Sequence, residues 1–236
     1  MTSPGIFIAG TDTGVGKTMV GCALLRAAHR SGRRLIPFKP VETGANPQPQ
    51  DALRLHEAAG APVPAGRVCL YPLTLPAAPQ AAATQAGIEI SLPAILQRAR
   101  ELASAGHGLL VESAGGLLVP YAPALTGVDL AIHLGLPVLL VGRAALGTIN
   151  HTTLSIFELR RRGLEIAGVL LVQTQPDREP HEASNAPLIA QLTELIPLGI
   201  VPYLSPAPGP DRLAEALRQT IGRAALDRLL ATATGP

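Results

Sequence analysis

Nine consecutive residues constrain this chain more than any others: Gly10-Thr11-Asp12-Thr13-Gly14-Val15-Gly16-Lys17-Thr18. They follow Ile6-Phe7-Ile8-Ala9, an apolar run with the composition of a buried strand, and they open a helical pattern from about Lys17 to Arg30. A glycine-rich turn in that setting lets successive backbone N–H groups point at one anion, and the helix N-terminus adds the positive end of its dipole. Lys17 then reaches the β- and γ-phosphates of a nucleotide, and the Thr18 hydroxyl is placed to ligate Mg²⁺. The strict phosphate-loop pattern sets its two glycines about five steps apart, one fewer than separate Gly10 from Gly16. The loop is therefore a variant, with Thr13, Gly14, Val15, Gly16, Lys17 and Thr18 as candidate nucleotide-binding residues.

The rest of the chain repeats the strand–helix alternation. Arg34–Phe38 reads as a second strand ending at Lys39, despite its proline, and Leu109–Val111 as a third. Between them, Ser91 is a candidate N-cap for a helix to Ala105, with Gly106 where a C-terminal stop belongs. Thr126 and Asp129 have the spacing of a capping box that opens a helix to about Leu134. Strands are expected at Val138–Val141, Gly168–Val172 and Ile200–Val201, with helices at Thr148–Arg162 and Asp211–Ala231. Strands that are apolar throughout and each followed by a helix imply a mostly parallel sheet covered on both faces. The Pro-rich stretches 46–50, 72–79 and 202–210 read as loops rather than linkers, so the expectation is one P-loop α/β domain over residues 1–236. With 3% aromatic residues and no Trp, its core must be aliphatic.

Charge and targeting signals remove other classes. A formal net charge of +2 is too small to hold nucleic acid or an anionic membrane. Three Tyr and three Phe provide no platform for stacking bases. The N-terminal residues Met1–Gly5 lack a basic n-region, and the longest apolar run, Leu136–Val141, contains Pro137 and is too short to span a bilayer. Cys22 and Cys69 form no CxxC pair, and Cys22 falls inside a helical pattern as a small core residue, so reduced thiols in the cytoplasm are expected.

A second acidic signal accompanies the loop. Leu109-Leu110-Val111-Glu112 is an apolar strand ending in a carboxylate, followed by Ser113-Ala114-Gly115-Gly116. Parallel sheets bind ligands at the carboxyl ends of their strands, which aims Glu112 into the crevice that Lys17 occupies. The alternative is an exposed acid at a strand end. His29, His56, His107, His133 and His181 show no metal-ligand spacing and read as surface or cap residues. Arg160–Arg162 closes a helix, where cations offset the carbonyl end of the dipole.

Four segments, taken in order, resemble the dethiobiotin synthetase family: Gly10–Thr18, Lys39-Pro40-Val41-Glu42-Thr43-Gly44, Val111-Glu112-Ser113-Ala114-Gly115-Gly116, and Leu146-Gly147-Thr148-Ile149-Asn150-His151. Gly168 and Pro197–Pro202 extend the similarity to about residue 204. The resemblance implies a P-loop fold and a homodimer. It also implies the use of ATP as co-substrate, Mg²⁺ and CO₂ to convert 7,8-diaminopelargonic acid into dethiobiotin. A substrate amine would form a carbamate, the carbamate would attack the γ-phosphate, and the neighbouring amine would close on the mixed anhydride. By resemblance, Lys17, Lys39 and Thr13 are the catalytic residues and Thr43 a substrate donor. Thr18, Asp51 and Glu112 match the Mg²⁺ positions, an oxygen-only set suited to a hard cation. Asp51 also reads as an N-cap for a helix over Ala52–Ala59. Gly147, Thr148 and Asn150 would bind the diamine's carboxylate from a partner subunit, and Asn150 also reads as a plain N-cap. Pro202 and Tyr203 would lie near the base.

Two other readings share the chemistry of the loop. An amide-forming synthetase of the cobyrinic acid type generally carries a glutamine-hydrolysing domain with a nucleophilic Cys, for which the chain has no room. A nucleotide-switch ATPase of the partitioning kind usually has a lysine early in its phosphate loop, where this chain has Thr11-Asp12-Thr13, and often a basic tail, where it has the neutral Ala231–Pro236.

Departures from the family pattern are Gly14, where some members carry Glu, Ser113 in place of a glycine, and Val172 in place of the Asn of adenine-selective members. The segment 75–80 keeps the spacing of the family's two prolines near its substrate site, Pro76 and Pro79. Val172 offers a base neither donor nor acceptor, so a wrong base leaves no buried group unpaired. GTP or CTP should support kcat/KM within roughly tenfold of ATP, a difference of about 1.4 kcal/mol. Steady-state kinetics with all four ribonucleotides check this; a preference for ATP above about a hundredfold would contradict it.

Overall fold

The computed structural model describes residues 4–177, 182–204 and 208–235, so the reading of His181 and the middle of the loop 202–210 fall outside the described residues. In chain order, β1 (Gly5–Gly10) leads through the phosphate loop into α1 (Lys17–Arg30), followed by β2 (Leu35–Thr43) and α2 (Gln50–Ala58). Next come β3 (Cys69–Leu73), α3 (Pro79–Ala86), α4 (Leu92–Ala103) and β4 (Gly108–Gly116). A small antiparallel hairpin, β5 (Pro120–Ala122) and β6 (Leu125–Thr126), precedes α5 (Gly127–Leu134) and β7 (Val138–Arg143). The remainder is α6 (Thr148–Arg161), β8 (Ile166–Val172), α7 (Glu182–Thr193), β9 (Gly199–Val201) and α8 (Pro210–Thr234).

Seven of the strands form one parallel sheet in the order β3-β2-β4-β1-β7-β8-β9. Alternation along each central strand divides the core in two. Ile6, Ile8, Leu110, Leu139, Val141, Leu170 and Val172 pack with α1, α2 and α8. Phe7, Ala9, Leu109, Val111, Val138, Leu140, Val169 and Leu171 pack with helices of the opposite face, α3 to α7. The aliphatic, two-faced sheet anticipated from composition and alternation is the one observed. Cys22 and Cys69 are buried free thiols.

Local signals fixed several boundaries. The Ser91 hydroxyl accepts from Ala94 N at 3.4 Å and starts α4. Thr126 and Asp129 form the reciprocal capping box that starts α5. Burying both faces of the sheet carries other elements beyond their expected ends. β4 continues past Val111 to Gly116, and α8 runs from Pro210 to Thr234 with a break at Gly222 (φ 75°). α4 ends at Ala103 with Ser104 as its C-cap, so Gly106 is not its stop; a Cβ there would lie 2.4 Å from Arg34 O, and close approach explains the glycine.

β2 does not end at Lys39 but runs to Thr43. Its pairing with β4 stops at Phe38↔Val111, and pairing with β3 takes over from Lys39↔Cys69. Lys39 N donates to Val68 O on the β3 side. By alternation the missing N–H of Pro37 faces β3 before β3 begins, and that of Pro40 faces β4 after its pairing has ended, so neither proline removes a ladder bond. The stretch 72–79 is not one loop: it holds the end of the edge strand β3 and the first residue of α3, where Pro79 is tolerated because the first helical N–H is unpaired anyway.

Candidate active site

β1, β2 and β4 end beside one another, and the phosphate loop closes the crevice they leave. Gly10 is needed there for space, since a Cβ would lie 2.9 Å from the backbone carbonyl of Asp12. Gly16 has φ 100°, and a Cβ on it would meet Val172 Cγ1 at 2.8 Å, so the loop can seat on β8 only with glycine at this position. Val172 is thus fully buried beneath the loop. Behind the loop, Arg143 Nη2 donates to Thr13 O at 3.4 Å, and the Thr13 N–H donates to Asp12 Oδ1 at 2.7 Å.

Three buried charges meet at the floor of the crevice. Glu112 Oε1 accepts from Lys39 Nζ at 2.5 Å and from the Thr18 hydroxyl at 2.8 Å. Lys39 Nζ also lies 3.3 Å from Asp51 Oδ2. Lys17 Nζ donates to the carbonyls of Asp12 at 2.8 Å and Gly115 at 2.9 Å. Burial pulls the Lys17 pKa down to about 8, with Glu112 opposing. Burial acts the same way on Lys39, but Glu112 and Asp51 overcome it and hold that ammonium above the ordinary lysine range. Lys39 is therefore a fixed cation, as phosphoryl transfer needs.

Around this cluster lies a cavity of about 700 Å³. Thr13, Gly14, Gly16, Lys17 and Thr18 line one side, with Lys39, Thr43, Asp51 and Glu112 beside them. Glu42, Arg54, Pro76–Pro79 and Val119 are also in the wall. Val15 is buried in the core beneath the loop rather than lining the cavity. Thr18, Glu112 and Asp51 supply oxygens only, the donor type of a small divalent cation, which takes one or two carboxylates and completes its shell with phosphate and water; Lys39 Nζ contacts both carboxylates. Glu112 Oε2 is buried with no hydrogen-bond partner and leaves unused acceptor capacity. Among the described residues no group of three or more His, Cys, Asp or Glu forms a separate metal cage.

The structure does not bring every candidate to this cavity. Gly147, with φ 89°, is itself the N-cap residue of α6, and Asn150 is in the first turn rather than at the cap. The Thr148 N–H donates to Ala145 O, and its buried hydroxyl pairs with that of Thr152, so both groups are already engaged within the chain. Gly147 and Asn150 are exposed, outside the cavity of their own chain. Pro202 and Tyr203 follow β9 and are exposed. A smaller cavity of about 300 Å³ lies between Thr18, Met19 and Cys22 of α1 and the segment Pro208–Leu213. The described histidines form no cluster: His56 Nε2 lies 2.6 Å from Val63 O, and His107 Nδ1 accepts from Arg34 N.

Asp51 is not the N-cap of α2, which starts one residue earlier at Gln50 after Pro49. The capping acceptor comes from another strand. Glu42 Oε1 accepts from Asp51 N and Oε2 from Ala52 N, both at 2.9 Å. Glu42 lies inside the Lys39–Gly44 segment, and the one local sign of its capping role in the sequence is Pro49, a residue with no side-chain oxygen at a helix start.

A family model described as an AAA domain matches residues 4–210. The ATP-dependent dethiobiotin synthetase BioD of Anaeromyxobacter dehalogenans strain 2CP-C is 48% identical over 84% of this chain and 90% of its own. The protein of the same name from Bacillus thuringiensis strain Al Hakam is 36% identical, over 84% of this chain and 83% of its own. Among solved structures, a chain of the MinC:MinD cell division complex of Aquifex aeolicus superposes with TM-score 0.57 at 14% identity, over 98% of this chain and 94% of that one. The cell division ATPase MinD of Pyrococcus furiosus gives 0.54 at 17% identity, over 98% of both; at such identities the likeness is one of fold alone. The level and extent of identity to the synthetases decide the matter: this chain belongs to the ATP-dependent dethiobiotin synthetase family.

Proposed function

We propose that this chain, acting as one domain over residues 1–236, uses ATP and Mg²⁺ to carboxylate 7,8-diaminopelargonic acid and close it to dethiobiotin. The observation that carries the reading is the convergence of Lys17, Lys39 and Glu112 on one walled cavity at the mouth of the phosphate loop. The reaction asks for little covalent help from a protein. It asks for fixed positive charge where the phosphoryl group transfers, and for exclusion of water from an anhydride that water would destroy.

Each side chain has a part in that scheme. One diamine nitrogen adds to CO₂ and loses a proton, leaving a carbamate. A carbamate oxygen attacks the γ-phosphorus while Lys17 and Lys39 offset the charge gathering on the equatorial oxygens, and ADP departs. The second amine then attacks the carbamoyl carbon, phosphate leaves and the ring is closed. Thr13 and Thr43, both lining the cavity, orient phosphate and carbamate by hydrogen bonds. Thr18, Asp51 and Glu112 would hold Mg²⁺, which neutralises phosphate charge when bound. Pro76–Pro79 supply an apolar wall against water. Gly147 and Asn150, exposed at the start of α6, are available to a neighbouring subunit and support a homodimer in which one copy receives the carboxylate end of a substrate held by the other. Among the described residues no helix is long and apolar enough to cross a membrane, which suits action on small, water-soluble substrates.

The purified chain incubated with diaminopelargonic acid, bicarbonate, Mg²⁺ and ATP should yield a product with the mass of dethiobiotin, and none without ATP. ATP consumption with no such product would contradict the reading. Lys39→Ala should lower kcat by about 10²–10³, the usual worth of one preorganised electrostatic group. It should also destabilise the fold by about 3–5 kcal/mol, because Glu112 is left buried and unpaired. Activity assays on the folded fraction and urea unfolding measure the two effects; retention of more than about half of kcat, far outside that range, would contradict the assignment.

A further inference from the structure

α2 begins without a cap of its own. Its first residues follow Pro49, whose side chain has no oxygen, so its leading N–H groups need an acceptor from elsewhere. Ala52 is almost fully buried, which denies its N–H a water partner. Glu42 answers both needs: it is 6% exposed, and its two carboxylate oxygens each take one N–H, from Asp51 and Ala52. This bidentate grip fixes the position and the pitch of the first turn, and an anion at that end is favoured by the helix dipole. Asp51 is the residue so gripped, and its own carboxylate lies 3.3 Å from Lys39 Nζ.

We infer that Glu42 is a positioning residue: by capping α2 from the neighbouring strand it holds the Asp51 carboxylate at the metal end of the cavity. Without that grip the first turn frays and Asp51, which is partly exposed, loses its fixed distance from Lys39 and Glu112. The inference rests on the reading of Asp51 as a metal-binding residue, and the two fail in different ways.

Mn²⁺ binding to the full chain, followed by electron paramagnetic resonance with a non-hydrolysable ATP analogue present, is the test. Partners that orient metal-binding groups commonly account for about 10–100-fold in metal affinity, so Glu42→Gln should weaken Mn²⁺ binding by roughly tenfold. Glutamine keeps one acceptor oxygen, so the variant should fold, which thermal unfolding verifies. Metal-free binding of the analogue should fall by much less than Mn²⁺ binding, because both Glu42 oxygens are engaged by the N–H groups of α2. Because Glu42 acts through Asp51, adding Glu42→Gln to Asp51→Asn should weaken binding by no more than about twofold again. A wild-type Mn²⁺ affinity in Glu42→Gln beside a weakened Asp51→Asn would overturn this inference alone. A wild-type affinity in Asp51→Asn would overturn the metal reading of Asp51 and this inference with it.

Discussion

The ion pair between Lys39 and Glu112 is the constraint on which the rest of the site depends. Both side chains are almost completely buried, and each would be intolerable there alone, since an unpaired interior charge forfeits its hydration with nothing in return. The pair ties the second strand to the fourth just beyond the point where their ladder ends at Phe38↔Val111. Its third partner, the Thr18 hydroxyl, ties both strands to the first turn of the helix that follows the phosphate loop. Lys17 completes the arrangement from the other side, held by two carbonyls and no carboxylate contact, with its pKa drawn down to about 8 by burial. The cavity floor is thus an array of buried charges whose spacing is set by the protein's own contacts. Such preorganisation removes reorganisation from the reaction itself.

A second tier of contacts holds this array in place. Pro37 and Pro40 fit the second strand because one neighbour ends where the other begins, and that offset extends the strand past its ladder with the fourth strand, so that Lys39, Glu42 and Thr43 border the cavity. Tyr121, from the small hairpin, is fully buried and its hydroxyl accepts from Ala114 N at 2.5 Å, bracing the strand end that carries Glu112. Gly16 and Val172 lock the loop to the eighth strand. That contact also explains why Val172 presents no polar edge to a base: its side chain is spent on packing.

Much of this was legible in the sequence because the signals were local. The strand–glycine–helix order around Gly10–Thr18 and the capping box at Thr126 and Asp129 depend on residues close in sequence, and both appear where expected. The apolar strands alternate between two helix-covered faces for the same reason. The features that were missed depend on distant partners. The edge strand Cys69–Leu73 contains Pro72 and exists because the second strand overhangs the fourth. The cap from Glu42 reaches a helix that starts eight residues later, across a loop whose path no local pattern specifies. Lys39 was expected at a strand end and lies within a strand, because its neighbour on that side was not foreseen. The roles proposed for Gly147 and Asn150 lie further away still, since they would concern a second copy of the chain.

The most direct test of the central claim is a double-mutant cycle on the buried pair, read by urea unfolding. Lys39→Met alone should cost about 3–5 kcal/mol, because it strands the buried Glu112 carboxylate, and Glu112→Leu alone should also destabilise the fold but by less, because Lys39 keeps its contact with Asp51. Together they should recover at least about 2 kcal/mol of that combined loss, since two apolar groups of similar volume replace two desolvated ions. The double variant should still form no product. Losses that simply add, to within about 0.5 kcal/mol, would contradict the account, because the two charges would then not be holding each other in place.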